Sequence, residues 1–164
     1  MDAAAIHERL EAQASTGVGD VTLDVMDPWI QIEPALIADV CAFLKNDPDL
    51  AFDCLSSESG VDYKAEGYIQ VVYHLFSYKH RHYIVLKVNA PRDNPVVPTV
   101  ENVWKAANWH EREIYDLLGV FFEGHCDLRR LLMPEDWIGH PLRKDFVEPE
   151  EYHGINTRRE SLLR

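Results

Sequence analysis

Residues 67–89 read GYIQVVYHLFSYKHRHYIVLKVN, two runs rich in Val, Ile, Tyr and Phe split by a short polar turn, and this stretch sets the fold class. β-branched and aromatic side chains suit a pleated, half-buried surface, so the two runs predict an antiparallel hairpin. In the second arm His82, Ile84, Leu86 and Val88 share one face, while Tyr83, Val85 and Lys87 share the other. His74, His80 and His82 cluster around the turn and invite a metal reading. It is set aside, because no carboxylate or thiol is spaced with them and a histidine at a strand end is usually solvated.

Upstream, residues 3–14 suit a short helix with Ile6 and Leu10 at i,i+4. A Gly-containing turn from Thr16 to Gly19 leads into VTLDVMD, where Val21, Leu23 and Val25 alternate with polar neighbours in the period-2 pattern of a strand, ended by Pro28. Glu33 and Pro34 open a second helix carrying Leu36, Ile37, Val40, Phe43 and Leu44, which stops near Asn46–Pro48. Residues 49–57 place Leu50, Phe52 and Cys54 or Leu55 in an extended pattern that predicts a further strand.

Downstream, Pro91, Pro95 and Pro98 make 89–99 an irregular connection that cannot continue a central strand. Thr99 offers an N-cap and Glu101 a first-turn negative charge to a long helix over Val100–Leu118, closed by Gly119. Its apolar stripe is Val100, Val103, Trp104, Ala107, Ile114, Tyr115 and Leu118, and Glu111 fills the gap. A carboxylate is therefore aimed at the core, where it is costly unless paired. The expected partner is a cation, with Arg129, Arg130 and Arg143 as candidates. Arg112 and Asp116 are i,i+4 neighbours and are expected to form a surface pair.

From Gly119 onward Phe121, Phe122, Leu128, Leu131, Leu132, Met133, Trp137, Ile138, Leu142 and Phe146 follow no sustained period and alternate with Arg, Lys and His. Such a segment cannot bury all its apolar groups on its own domain, and interface cores favour aromatics, Met and Arg. It is read as an extended arm that packs on a partner, ending in a polar tail over 147–164. The chain is thus expected to be α+β, in the order α-β-α-β-β-β-α. The helices would cover one face of a small mixed sheet, with 1–118 as core and 119–164 as C-terminal arm.

Bulk properties bound the function. The formal charge of −12 argues against a nucleic-acid ligand, which needs clustered Lys and Arg. Residues 1–100 carry 15 acidic and 7 basic side chains (net −8), and 101–164 carry 13 and 9 (net −4). Arg129, Arg130, Arg143 and Lys144 stand close in sequence. They either dock acidic groups of another protein or form ion pairs within the chain. Cys41, Cys54 and Cys126 are scattered with no CxxC, so neither a four-thiolate iron–sulfur cluster nor a Cys-rich zinc site can be built from this chain alone. No apolar run approaches the ~18 to 20 residues of a membrane span, and the acidic, polar N-terminus lacks signal-peptide order. The chain is expected to stay in the cytoplasm. His110-Glu111 lacks the second histidine of HExxH, its place taken by Ile114, and no glycine-rich nucleotide loop is present.

One stretch is more specific. Residues 109–146, WHEREIYDLLGVFFEGHCDLRRLLMPEDWIGHPLRKDF, contain ERExxD, two apolar residues, six positions, then HxxxRxLL. The fixed positions are Glu111, Arg112, Glu113, Asp116, Leu117, Leu118, His125, Arg129, Leu131 and Leu132. This resembles the signature of the 30 kDa (C) subunit family of respiratory complex I, and the continuation Met133–Phe146 resembles it too. Cys126 and Val147 depart from it, standing in loops where that family usually has proline.

The resemblance implies the C subunit of a proton-translocating NADH:quinone oxidoreductase, on the cytoplasmic face of the inner membrane and held there through the complex. It implies a chain without cofactors, inactive alone, that scaffolds the quinone-reducing D subunit and the cluster-bearing B and I subunits. FMN and iron–sulfur clusters would belong to partner subunits. No residue is assigned to catalysis, cofactor or metal. Glu111, Arg112, Glu113, Asp116, His125, Arg129, Arg130, Trp137, His140, Arg143, Lys144 and Asp145 are expected to hold the arm to the helix or to touch partners. The alternatives are the equivalent scaffold of a membrane-bound hydrogenase or other quinone-reducing dehydrogenase, and a stand-alone hydrolase using His and carboxylate groups of 109–145.

Overall fold

A computed structural model describes residues 2–13 and 17–157. Its main elements are α1 (Ala3–Gln13), β1 (Val18–Thr22), β2 (Trp29–Ile32), α2 (Ile37–Asn46), β3 (Cys54–Tyr63), β4 (Tyr68–Ser77), β5 (His82–Pro91), β6 (Val96–Pro98), α3 (Ala107–Leu118), β7 (Phe121–Glu123), β8 (Glu151–Tyr152) and β9 (Ile155–Asn156), with a 3-10 turn at Pro34–Leu36 leading into α2. Five strands form one mixed sheet in the order β1-β2-β5-β4-β3, with β2 parallel to β5 and the other pairs antiparallel. The expected α+β class with helices on a mixed sheet is what forms.

The β4–β5 hairpin shows why. Its ladder pairs Ile69 with Ala90, Val71 with Val88, Tyr73 with Leu86 and Leu75 with Ile84. Opposed residues share a face, and all eight are buried. Ile30 and Ile32 extend that face, and Ile6, Leu10, Ile37, Val40, Leu44, Ile114 and Leu118 of the three helices join it in one cluster. The other face keeps Lys87 Nζ 4.0 Å above the Trp29 ring.

Several expectations are corrected. The VTLDVMD strand shifts toward the N-terminus as β1, whose three middle residues are exposed, and Pro28 precedes a strand rather than ending one. β2 gives little sequence signal because its four residues lie between Pro28 and Glu33-Pro34. The strand foreseen at 49–57 starts only at Cys54 and continues to Tyr63. A register shift between Leu55 and Ser57 breaks its period-2 pattern, so Leu55, Glu58 and Asp62 all face inward.

His82 is buried rather than solvated. Its Nε2 meets the Leu50 carbonyl at 2.7 Å, and His80 Nε2 meets the Pro48 carbonyl at 2.9 Å, so both histidines hold the 48–50 loop.

The third helix begins at Ala107, not Val100: the Thr99 hydroxyl and Val100 N–H donate to Glu111, and the residues that follow form turns rather than continuous helix. Its end is as expected: Gly119 takes a left-handed φ of 77° and its N–H donates to the Tyr115 carbonyl at 2.9 Å. The proline-rich connection contributes β6, which pairs in parallel with β7 of the arm. Part of the polar tail folds as the β8–β9 hairpin, while Ala14, Thr16 and 158–164 lie outside the described residues.

Candidate functional site

Of the charged residues of α3, Arg112 and Asp116 hold the arm directly. Asp116 is fully buried. Its Oδ1 accepts from Arg130 Nη1 at 2.7 Å, and its Oδ2 accepts the N–H groups of Leu131, Leu132 and Met133 at 3.0, 2.7 and 2.8 Å. Burial pushes this carboxyl up, but the Met133 N–H, the Arg130 guanidinium and the Leu132 and Leu131 N–H groups together hold it below the usual carboxylate value. Arg130 also donates to the carbonyls of Trp137 and Gly139 at 2.9 and 3.1 Å.

Arg112 does not pair with Asp116 on the surface. Its guanidinium donates to the carbonyls of Arg129 and Arg130 at 3.3 and 3.4 Å and lies 5.0 Å from the Trp109 ring. Arg129 is exposed and pairs with Asp127 at 2.9 Å. Glu113 is exposed and lines a small cleft with Gly60, Ile114, Leu117, Leu118 and Leu142.

Glu111 is fully buried, as its place in the stripe requires, but the expected arginine is absent. Val100 N–H donates to its Oε1 at 2.6 Å, the Thr99 hydroxyl donates to its Oε2, and His125 Nε2 stands 3.8 Å from that oxygen. Burial pushes its carboxyl up to about 7 against the opposing pull of those two hydrogen bonds. Arg130 and Arg143 are engaged elsewhere, which is why neither reaches it. Glu58, missed in the sequence, is buried near it with neither carboxyl oxygen in a protein hydrogen bond among the described residues. Burial first, and then the charge of Glu111, hold Glu58 well above the ordinary value.

The rest of the arm is fastened at the end of α3. His140 Nδ1 lies 3.0 Å from the Asp116 carbonyl, with its ring against Gly119, where an added Cβ would come within 2.5 Å of Nε2. Arg143 Nε donates to the Leu118 carbonyl at 2.7 Å. Lys144 N–H donates to Asp62 Oδ2 at 2.8 Å, and Arg92 bridges Asp62 at 2.7 Å and Asp145 at 2.5 Å. The Arg92 guanidinium holds the Asp62 carboxyl below its usual value. Trp137 packs between Phe146 and Tyr152, with ring centroids at 6.4 and 5.1 Å. Ion pairs within the chain therefore engage Arg130 and Arg129, and a backbone carbonyl engages Arg143, while Lys144 is exposed.

Among the residues the arm leaves exposed are several large apolar ones: Leu132, Leu142, Ile155, Val147 at 84 % exposure and Ile138 at 89 %. Isolated exposed apolar residues are ordinary, but this group follows one irregular segment whose backbone is fixed.

Residues 30–152 match the family described as the respiratory-chain NADH dehydrogenase 30 kDa subunit. The chain belongs to that family. It is 44 % identical over 146 residues to the C subunit of NADH-quinone oxidoreductase from Roseiflexus sp. (strain RS-1), covering 88 % of this chain and 84 % of that one. It is 50 % identical over 120 residues to the protein of the same name from Roseiflexus castenholzii, covering 73 % and 69 %.

Among solved structures, it superposes on the trypsin-resistant fragment (1-134) of Nqo5 with a TM-score of 0.62, 29 % identity and coverage of 75 % and 98 %. It also superposes on a chain of the membrane-bound sulfane sulfur reductase, an archaeal respiratory membrane complex, with a TM-score of 0.69, 25 % identity and coverage of 88 % and 85 %.

Proposed function

We propose that this chain is the C subunit of a proton-translocating NADH:quinone oxidoreductase and acts as a scaffold of its peripheral arm. The fixed arm with its exposed Leu132, Ile138, Leu142 and Val147 is the observation that supports the scaffold reading. A segment anchored by Asp116 and Arg130 presents apolar groups in a fixed arrangement, which lowers the ordering cost of association. In this reading the quinone-reducing D subunit and the cluster-bearing B and I subunits pack on it. FMN and the iron–sulfur clusters sit in those and other partners, and this chain moves no electrons and is inactive alone. Among the described residues no helix is long and apolar enough to cross a membrane. Attachment to the cytoplasmic face of the inner membrane would then run through the complex.

The likeness to the membrane-bound sulfane sulfur reductase chain supports a second reading, the equivalent scaffold of a related respiratory assembly such as a hydrogenase or another quinone-reducing dehydrogenase. Affinity purification of the tagged chain under mild detergent, with identification of the co-purifying chains, tests both. Recovery of NADH-oxidising, quinone-reducing and cluster-bearing subunits is the expected result. An assembly lacking the NADH-oxidising subunits would favour the second reading, and a chain recovered alone would overturn both.

A further inference from the structure

The cleft between β3 and α3 has apolar walls and two acidic side chains. Ile114 and Leu117 of α3 and Leu142 of the arm form the walls, Gly60 leaves the β3 side without a side chain, and Glu58 and Glu113 share the lining. Glu58 is 3 % exposed and Glu113 is exposed, so one acid lies deep and the other at the surface. Leu142 N–H donates to the Leu117 carbonyl at 3.0 Å, which fixes the wall supplied by the arm. The cleft holds about 110 Å³. An apolar cavity of about 150 Å³ takes benzene, so this smaller one suits an unbranched alkyl chain rather than a ring. No Lys, Arg or His is among its described lining residues.

Glu58 supplies a second, independent observation. Among the described residues it forms no ion pair, and neither carboxyl oxygen has a hydrogen-bond partner. Tyr73 of β4 stands opposite it in the ladder, with a buried hydroxyl that is also without a partner. Cys41 of α2 and Glu111 of α3 are the other titratable groups coupled to it, and neither is a cation. The cost does not depend on its protonation. Ionised, Glu58 is an unpaired buried charge near Glu111, and protonated, it is an acid whose hydroxyl and carbonyl meet no partner. A hydrogen-bond donor that carries positive charge relieves either state.

We infer that this cleft receives a lysine side chain of a partner subunit, its alkyl stem against Leu117 and Leu142 and its ammonium at Glu58. The inference rests on the reading of the arm as a docking surface, since Leu142 is both a wall of the cleft and one of the apolar residues the arm leaves exposed. Lysine fits better than arginine. A compact ammonium on a slender stem enters a narrow slot and offers three donors, whereas a guanidinium is a wider planar fork. Glu113 at the surface attracts the incoming charge. Seating the ammonium leaves Glu58 ionised and sends its proton to solvent, so the contact strengthens as pH rises.

The test uses the complex purified through the tagged chain in mild detergent and diluted in steps at pH 6 and pH 8, with release of the chain measured at each step. The wild type should be held about tenfold more tightly at pH 8 than at pH 6. Glu58→Gln keeps the shape of the side chain and should be released on the order of tenfold more readily than the wild type at pH 8, with a smaller pH dependence. Other titrating groups at the interface act on both chains alike, so the difference between them reports Glu58. In the intact wild-type complex one partner lysine should resist a water-soluble acetylating reagent and become reactive in the Glu58→Gln complex. A Glu58→Gln complex with the affinity and pH dependence of the wild type, or one in which no partner lysine gains reactivity, would overturn the inference and leave the scaffold reading standing. A wild-type chain recovered without any partner would overturn both.

Discussion

Asp116 and Arg130 form a buried pair that fixes the arm to α3: 2.7 Å separates Oδ1 from Nη1, while the other carboxylate oxygen gathers three successive backbone N–H groups. Removing one member strands everything the other held. Asp116→Ala should therefore destabilise the chain by about 3 to 5 kcal/mol, the range for breaking a buried pair. Urea denaturation of the purified variant measures this. A loss under ~1 kcal/mol would mean the arm is held without the pair.

Glu58 gives a pH dependence. Its folded-state pKa is raised, by burial first and by Glu111 second. A group raised in this way contributes stability that is fully present below its unfolded pKa, near 4.3, and is lost as pH rises through the folded value. Glu58→Gln removes that titration. Any packing or hydrogen-bonding cost of the amide is the same at both ends of the range, so the variant should gain stability on the wild type as pH rises from about 5 to about 8. Paired urea curves at the two pH values, with chelator present, read this directly. A constant difference would show that the folded-state pKa of Glu58 is not raised.

Gly60 tests the packing that lets α3 lie on β3. An added Cβ would stand 2.3 Å from Leu118 Cδ1 and 3.1 Å from Ile114 Cγ2. Gly60→Ala should cost about 1 to 3 kcal/mol through overpacking. In a Leu118→Ala background the cost should shrink, because the obstructing atoms are gone. Equal costs in the two backgrounds would place the strain elsewhere.

How far the sequence could be read follows from what each residue depends on. The hairpin and the Glu111 phase were legible, since periodicity within one element reports which side faces the core. The identity of Glu111's partner was not, because Thr99 and Val100 reach it only through turns that replace the expected first helical turns. The inward placement of Glu58 and Asp62 was hidden by the register shift after Leu55, which moves the buried face by one residue. The Asp62–Arg92–Asp145 bridge joins three separate parts of the chain, and nothing local marks it. Arg130 and Arg143 read as a docking charge because loop arginines next to apolar groups look alike whether they bind a partner or the chain's own carbonyls. For the arm as a whole, the resemblance across 109–146 told more than periodicity could.

The central claim is that the arm docks this chain into a respiratory complex through apolar side chains it leaves uncovered. The direct measurement is NADH-dependent quinone reduction by membranes carrying the double variant Ile138→Asp, Val147→Asp. Both positions are exposed, so each change should alter the stability of the isolated chain by no more than ~0.5 kcal/mol, and its circular dichroism should match the wild type. The account predicts that membranes with this folded variant lose most of the activity and that the variant fails to co-purify with the other subunits. A folded variant that supports full activity in a full-size complex would contradict it.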